Sequence, residues 1–251
     1  MTVKAGDQLV GLRVSTPDLA DAARSVLAPA LVAGVVAPPN VSVLATEAHA
    51  GSGLLFCYRS SAAVTRARSP RRALEAVVTL ISSFTPSAPG AAPRIPAVVA
   101  LGSGRAVLLC PASRMVIDRL APRLRRDGWE LVDLPWAEID PTSGHVIIAE
   151  PAVAVDTAAL SRLPLRRGDG RPPAPGRYPV AAWVDLAGDG PEPSTLAARV
   201  AVVAAAADLD AATAATTIEA VAAMLDRAAW ATSASLDAGA LAQAVASATA
   251  R

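Results

Sequence analysis

The order of apolar and polar positions divides the chain into short strands and amphipathic helices. Gln8–Val14 is an apolar run of strand length. Thr16-Pro17-Asp18 follows it with an N-cap hydroxyl, a proline for the first helical position and an early acid. Leu19, Ala23, Val26 and Ala30 then recur at helical spacing. After Pro38-Pro39, Val41–Thr46 reads as a strand, Gly51–Gly53 as a turn, and Leu54–Arg59 with Val64–Arg68 as a hairpin. Ser69-Pro70 opens a second helix, with Leu74, Val77, Val78 and Ile81 on one face. Residues 7–85 thus spell β-α-β-β-α. Thr85–Pro93 has the proline, serine and alanine content of a linker. The expected organisation is an α/β unit over 1–86, a linker over 87–93 and a second domain over 94–251.

In that second domain Ile95–Leu101 and Ala106–Cys110 are apolar runs joined by Gly102-Ser103-Gly104, a strong hairpin signal. Pro111-Ala112-Ser113 leads into a helix that runs to Asp127 and stops at Gly128. Glu130–Asp133 is a short strand, and Ala137–Asp140 and His145–Ile148 flank a turn at Pro141–Gly144. Arg166–Gly176 reads as an exposed loop and Tyr178–Leu186 as a strand. Ser194–Ala207 and Leu209–Arg227 are alanine-rich helices, followed by a strand at Ala229–Leu236 and a helix capped by Asp237. Strands and helices alternate, which predicts an α/β fold with a mixed sheet, α+β being the alternative.

Composition narrows the chemistry. The 251 residues carry a net charge of +1, which argues against indiscriminate nucleic-acid binding. The longest apolar stretches, such as Val200–Ala207, fall short of the ~20 residues that span a bilayer. No basic segment leading into an apolar core opens the chain, so no signal peptide is expected. Cys57 and Cys110 sit in strand-like runs and read as reduced, buried thiols, which points to a cytoplasmic setting. Of 23 basic residues only Lys4 is a lysine, so any lysine chemistry depends on one side chain expected in a frayed terminus.

Several reaction classes find no residues. With only His49, His145 and two distant cysteines, a zinc site of three or four His/Cys ligands is not expected. His49 reads as an exposed loop side chain and His145 as a turn residue. Gly102-Ser103-Gly104-Arg105 is not a nucleophile elbow, and no G-x-G-x-x-G follows a strand into a helix. Asp133, Glu138 and Asp140 lie close in sequence and offer carboxylates for magnesium or for acid–base work; the alternative is that they are turn and edge acids. Arg119, Arg123 and Arg126 share one face of the 111–127 helix, as a docking face for an anionic partner or as a solvated face. Trp129 and Trp136 read as core, with Trp136 the alternative lining of a pocket.

The run AVVALGSGRAVLLCP leading to RRDGWELVDLPWAEIDPTSGHVI resembles the core of the HPr kinase/phosphatase-like proteins, in the actinobacterial biosynthetic-cluster members of that family. Gly128–Asp133 and Ile139–Gly144 carry the resemblance, and Tyr178-Pro179-Val180 fits its downstream part. The resemblance implies a P-loop-kinase-like mixed sheet with C-terminal helices. The chain departs from it where the phosphate loop belongs. Cys110-Pro111-Ala112-Ser113-Arg114-Met115 has neither glycine nor lysine, and Pro111 removes a backbone donor. The resemblance therefore implies a degenerate, pseudo-kinase-like accessory protein that binds a peptide or protein partner, and the residues themselves offer Arg114, Arg119, Arg123, Arg126 and Trp136 as candidate contacts. No cofactor, metal, nucleic acid or membrane is expected, and self-association is left open. One alternative is a phosphate-handling enzyme using Asp133, Asp140 and Arg114. Another is a structural subunit with contacts from the helices at 194–227.

Overall fold

In a computed structural model the chain is mixed α/β. It is described for residues 1–45, 53–85, 92–110, 121, 124–132, 134, 136–166, 169–186, 193–207 and 214–232. The chain divides into two compact units, one comprising Met1–Ser87 with Glu150–Pro172 and the other Ala88–Ala149 with Pro173–Arg251. The sequence pattern places the second domain over 94–251, whereas residues 150–172 belong with the first unit.

The first unit is a five-stranded sheet in the order β1 (Thr2–Ala5), β2 (Gln8–Val14), β3 (Pro39–Ala45), β4 (Leu55–Arg59), β5 (Ala62–Ala67). β1 was absent from the sequence pattern. It pairs antiparallel with β2 across a two-residue turn at Gly6-Asp7, where Gly6 has φ +55°. Lys4, expected in a frayed terminus, is instead a strand residue opposite Leu9. Between β2 and the parallel β3 runs α1 (Pro17–Val26), which buries Leu19, Ala23 and Val26. α2 (Pro70–Ser82) packs on β3, β4 and β5 through Leu74, Val77, Leu80 and Ile81. Ser69 caps it by accepting a hydrogen bond from the Arg72 N–H at 3.3 Å. The strands answer with Val41, Val43, Cys57 and Ala67, alternate residues on one face. Cys57 is a buried thiol outside any disulfide, as its strand context predicted, and its Sγ donates to the Ala73 carbonyl at 3.6 Å.

Residues 150–172 add α3 (Thr157–Arg162) to this unit. The N–H of its N-cap, Asp156, donates to the carbonyl of Val26 at 2.8 Å, and the Asp156 carboxylate accepts from Ala159 N–H at 2.9 Å. One side chain thus satisfies the start of α3 while its backbone satisfies the end of α1. In the stretch read as an exposed loop, the Asp169 carboxylate accepts the N–H groups of Arg68 and Arg166.

The second unit holds two sheets. Its antiparallel sheet runs β12 (Gly176–Tyr178), β11 (Val146–Ile148), β10 (Ala137–Ile139), β6 (Arg94–Ile95). Its mixed sheet runs β14 (Ala229–Thr232), β13 (Val180–Asp185), β8 (Arg105–Cys110), β7 (Val98–Gly102), β9 (Glu130–Leu131). Two apolar runs that read as single strands are each split by a proline. Pro96 divides Ile95–Leu101 into β6 and β7, and Pro179 divides Tyr178–Leu186 into β12 and β13. In both cases the halves enter different sheets. Proline cannot donate to a ladder, so the strand is interrupted there and the chain changes sheet. The β7–β8 hairpin turns on Ser103 (φ 52°) and Gly104 (φ 74°), the left-handed pair that a two-residue turn demands.

The mixed sheet is buried on both faces. One face carries Leu108, Trp183 and Trp230 against Val203 of α4 (Leu196–Ala206) and Val221, Met224 and Leu225 of α5 (Ala214–Leu225). The other carries Val98, Val107, Leu109 and Val184 against Ala121 and Leu124, which belong to the helix predicted for 111–127. Gly128 (φ +84°) ends that helix as expected. Its N–H donates to Arg125 O, and the next N–H, of Trp129, reaches back to Leu124 O. A Cβ on Gly102 would lie 2.7 Å from the Trp129 ring, so the indole rests directly on the hairpin backbone. Among the described residues no helix is long and apolar enough to cross a membrane.

Candidate functional site

β8, β13 and β14 are mutually parallel, and β9 runs the same way because it is antiparallel to β7. The carboxyl ends of four strands therefore meet at one edge of the mixed sheet. In open α/β sheets this edge is where ligands bind. Cys110 ends β8 and stands in register with Asp185, the last residue of β13, while the N–H of Leu186 donates to the Cys110 carbonyl. Burial first, and the neighbouring Asp185 carboxylate second, push the Cys110 thiol up from its ordinary 9.0 to about 11. The thiol is neutral and unreactive at physiological pH. Asp185 was not singled out from sequence. Arg114 and Asp133, the sequence candidates beyond β8 and β9, lie outside the described residues, as do Arg119, Arg123 and His49.

Asp140 is the best-placed of the candidate acids, and its bonds are structural. It is 5% exposed. One carboxylate oxygen accepts the N–H groups of Thr142 (2.9 Å) and Ser143 (3.3 Å), and the other accepts from the Arg177 guanidinium on β12. Its own N–H donates to His145 O, and its carbonyl accepts from Gly144 N–H. The N–H of Thr142, then that of Ser143 and the Arg177 charge, hold the carboxyl below its ordinary 3.8 against the opposing effect of burial. The turn so built docks on the end of α5. Gly144 (φ +67°) packs so closely that a Cβ there would lie 2.6 Å from Met224 N, and Arg227 Nη1 donates to Ser143 O at 2.9 Å. The reading of Asp140 as a turn acid accounts for every one of these contacts. Its partner Arg177 was missed, because only the β11–β12 pairing brings position 177 beside the turn.

The remaining candidates separate. Glu138 pairs with Arg94 at 2.8 Å across β10 and β6, and the same guanidinium lies 5.4 Å from the centre of the half-buried Trp136 ring. Arg126 is exposed at the end of its helix. His145 is half-buried, and its N–H lies 3.4 Å from the Ser143 hydroxyl. Among the described residues no three His, Cys, Asp or Glu side chains group to hold a metal ion. No protein-family model, curated protein or solved structure matches the chain.

Two expectations follow. Asp140→Ala removes the acceptor for two turn N–H groups and should cost about 1–3 kcal/mol in urea unfolding. Asp140→Asn keeps an acceptor and loses the charge. Because the folded carboxyl titrates below its ordinary 3.8, the stability conferred by its charge is complete above that value and disappears as the pH falls through the depressed one. An Asn variant as stable as the wild type at pH 7 would show that the charge contributes nothing.

For Cys110 the sign is opposite. Below pH 9.0 the thiol is neutral in both states. Between 9.0 and about 11 only the unfolded chain ionises, so stability falls as the pH rises, by at most about 1.4 kcal/mol per unit. Cys110→Ala should flatten that decline, and native-state alkylation of Cys110 should stay slow at pH 9 while the denatured chain reacts fully.

Proposed function

We propose that this chain is a non-catalytic binding or accessory protein on a degenerate scaffold of the HPr kinase/phosphatase-like kind, recognising a peptide or protein partner. One observation carries the reading: the carboxyl end of β8. In a phosphate-binding fold the central strand delivers backbone N–H groups and a lysine to an anion at this point. Here it ends on a buried neutral thiol beside the Asp185 carboxylate. The sequence then continues Pro111-Ala112-Ser113-Arg114-Met115, without glycine or lysine. A polyphosphate brought to that edge would lose hydration near an acid, and the sequence that follows offers it no lysine. Asp140, which a phosphotransfer mechanism would use as a metal or proton acceptor, already accepts two backbone N–H bonds and the Arg177 charge. The exposed Arg126 leaves a guanidinium free to meet a partner, and Arg119 and Arg123 precede it at helical spacing.

Calorimetry with ATP and magnesium tests the first half of the proposal. The expected outcome is no saturable binding below roughly millimolar concentration, which leaves under about 4 kcal/mol of binding free energy. A micromolar site overturns the proposal in favour of an enzyme.

The second half is tested by replacing Arg119, Arg123 and Arg126 together with glutamine. Stability should change by no more than about 0.5 kcal/mol per site. Association with the products of neighbouring genes, read by biolayer interferometry, should weaken and lose part of its salt dependence. Unchanged affinity removes this helix as the docking face.

A further inference from the structure

We propose that the first unit carries a binding site for a carboxylate borne on an apolar stem, in the cavity lined by β2, α1 and residues 35–39. The cavity has a volume of about 400 Å³, within the roughly 300–1,000 Å³ usual for small-ligand sites. Its walls include Leu12, Val14, Val35 and Val36, and among the described residues the charged side chains lining it are Arg13 and Arg24. The site is independent of the reading given above, since every residue in it belongs to the other unit.

The apolar rim is held open to water by backbone packing. Val36 is 96% exposed and Val35 44%, two of the seven large hydrophobic side chains exposed among the described residues, and here they are adjacent. Their segment is pinned at several points. The Thr2 hydroxyl donates to Val35 O at 2.8 Å and accepts from Ala37 N–H at 3.0 Å. Beyond it, Pro38 crosses so close to β2 that a Cβ on Gly11 would lie 2.1 Å from the Pro38 carbonyl oxygen; only glycine fits there. Pro39 then enters β3 opposite Gly11, at the point where the β2–β3 register shifts. A surface fixed in this way presents apolar area without an ordering cost on binding.

The charges select the head group. Arg24 is held by Asp21 at 2.5 Å, on the turn of α1 that precedes it. Arg13 lies in β2 opposite Ser42, is exposed, and among the described residues meets no acid. A guanidinium offers a planar fork that matches a carboxylate, and the rim beside it offers contact for an aliphatic group. A bare phosphate would leave that rim uncovered, and a purely apolar ligand would leave Arg13 unused. An aliphatic residue at the carboxyl end of a peptide and a free amphipathic acid share the chemistry that fits both.

The test is ¹⁵N-detected NMR titration of the full chain with four probes: N-acetyl-leucine, its amide, a hexapeptide ending in Ala-Leu with a free carboxylate, and the same peptide amidated. At least one free acid should saturate with Kd on the order of a millimolar or tighter, shifting the backbone amides of Arg13, Val14, Val36 and Ala37. The amides should bind at least tenfold more weakly, and so should the acids to an Arg13→Gln, Arg24→Gln double variant. Should the double variant lose its fold, Arg13→Gln alone is read, since among the described residues that exposed side chain makes no hydrogen bond or ion pair. Binding by the peptide alone identifies a chain end as the ligand, and binding by N-acetyl-leucine as well extends it to free acids. Absence of saturation with either acid overturns the proposal. So does equal binding of acid and amide, or full affinity in the folded variant.

Discussion

The second unit depends on the parallel pairing of β8 with β13. The two strands are neighbours in space, and the whole chain between Cys110 and Val180 is the excursion that makes a parallel pair possible. Ala106–Cys110 is buried without interruption, as a central parallel strand covered on both faces must be. From this register the rest follows. Leu108 and Trp183 face α4 and α5, with Trp230 of β14 stacked on Trp183 at 6.0 Å, while Leu109 and Val184 face Ala121 and Leu124. Burying one such side chain stabilises the fold by about 1.5–3 kcal/mol, so a slip of one residue, which exchanges the two faces, is strongly disfavoured.

The same register explains why groups that look reactive are not. It sets Cys110 beside Asp185 in a buried strand end, where the thiol keeps its proton. The antiparallel sheet reaches the mixed sheet through Pro96 and Pro179, and the second of these follows directly on the strand that brings Arg177 to Asp140. The acid is then committed to its turn by two backbone donors and a guanidinium. Such a network is costly to leave half-satisfied, and each bond made to the carboxylate lowers its capacity to accept a proton or bind a metal. Both carboxylate oxygens of Asp140 are thus engaged by the turn and by Arg177.

The first unit distributes its charges differently. Where the second unit closes its acid in a turn, the first leaves Arg13 in open solvent beside valines that its backbone keeps from folding inward. Two of its acids act as clamps on main-chain N–H groups, Asp156 at the start of α3 and Asp169 between Arg68 and Arg166. An arginine-rich, lysine-poor chain is suited to this division, since guanidinium groups keep their charge when packed against rings, as Arg59 on Phe84 and Arg94 on Trp136 are.

Local patterns were enough to give the α/β class, the extent of β2, the starts of α1 and α2, the hairpin turn at Ser103-Gly104 and the helix stop at Gly128. Each of these rests on contacts between residues close in sequence: a cap, a turn that needs a left-handed φ, a periodic apolar face. Pro96 and Pro179 stood inside runs that read as single strands, because an apolar run does not say which sheet each half joins. β1 was hidden because four residues beside a two-residue turn carry too little periodicity, and α3 because none of its six residues is buried. Only tertiary structure decided that 150–172 returns to the first unit, that Arg177 meets Asp140, and that Cys110 meets Asp185. Those pairings join residues far apart in the chain, and the identity of either partner alone says nothing about which surface the other will occupy.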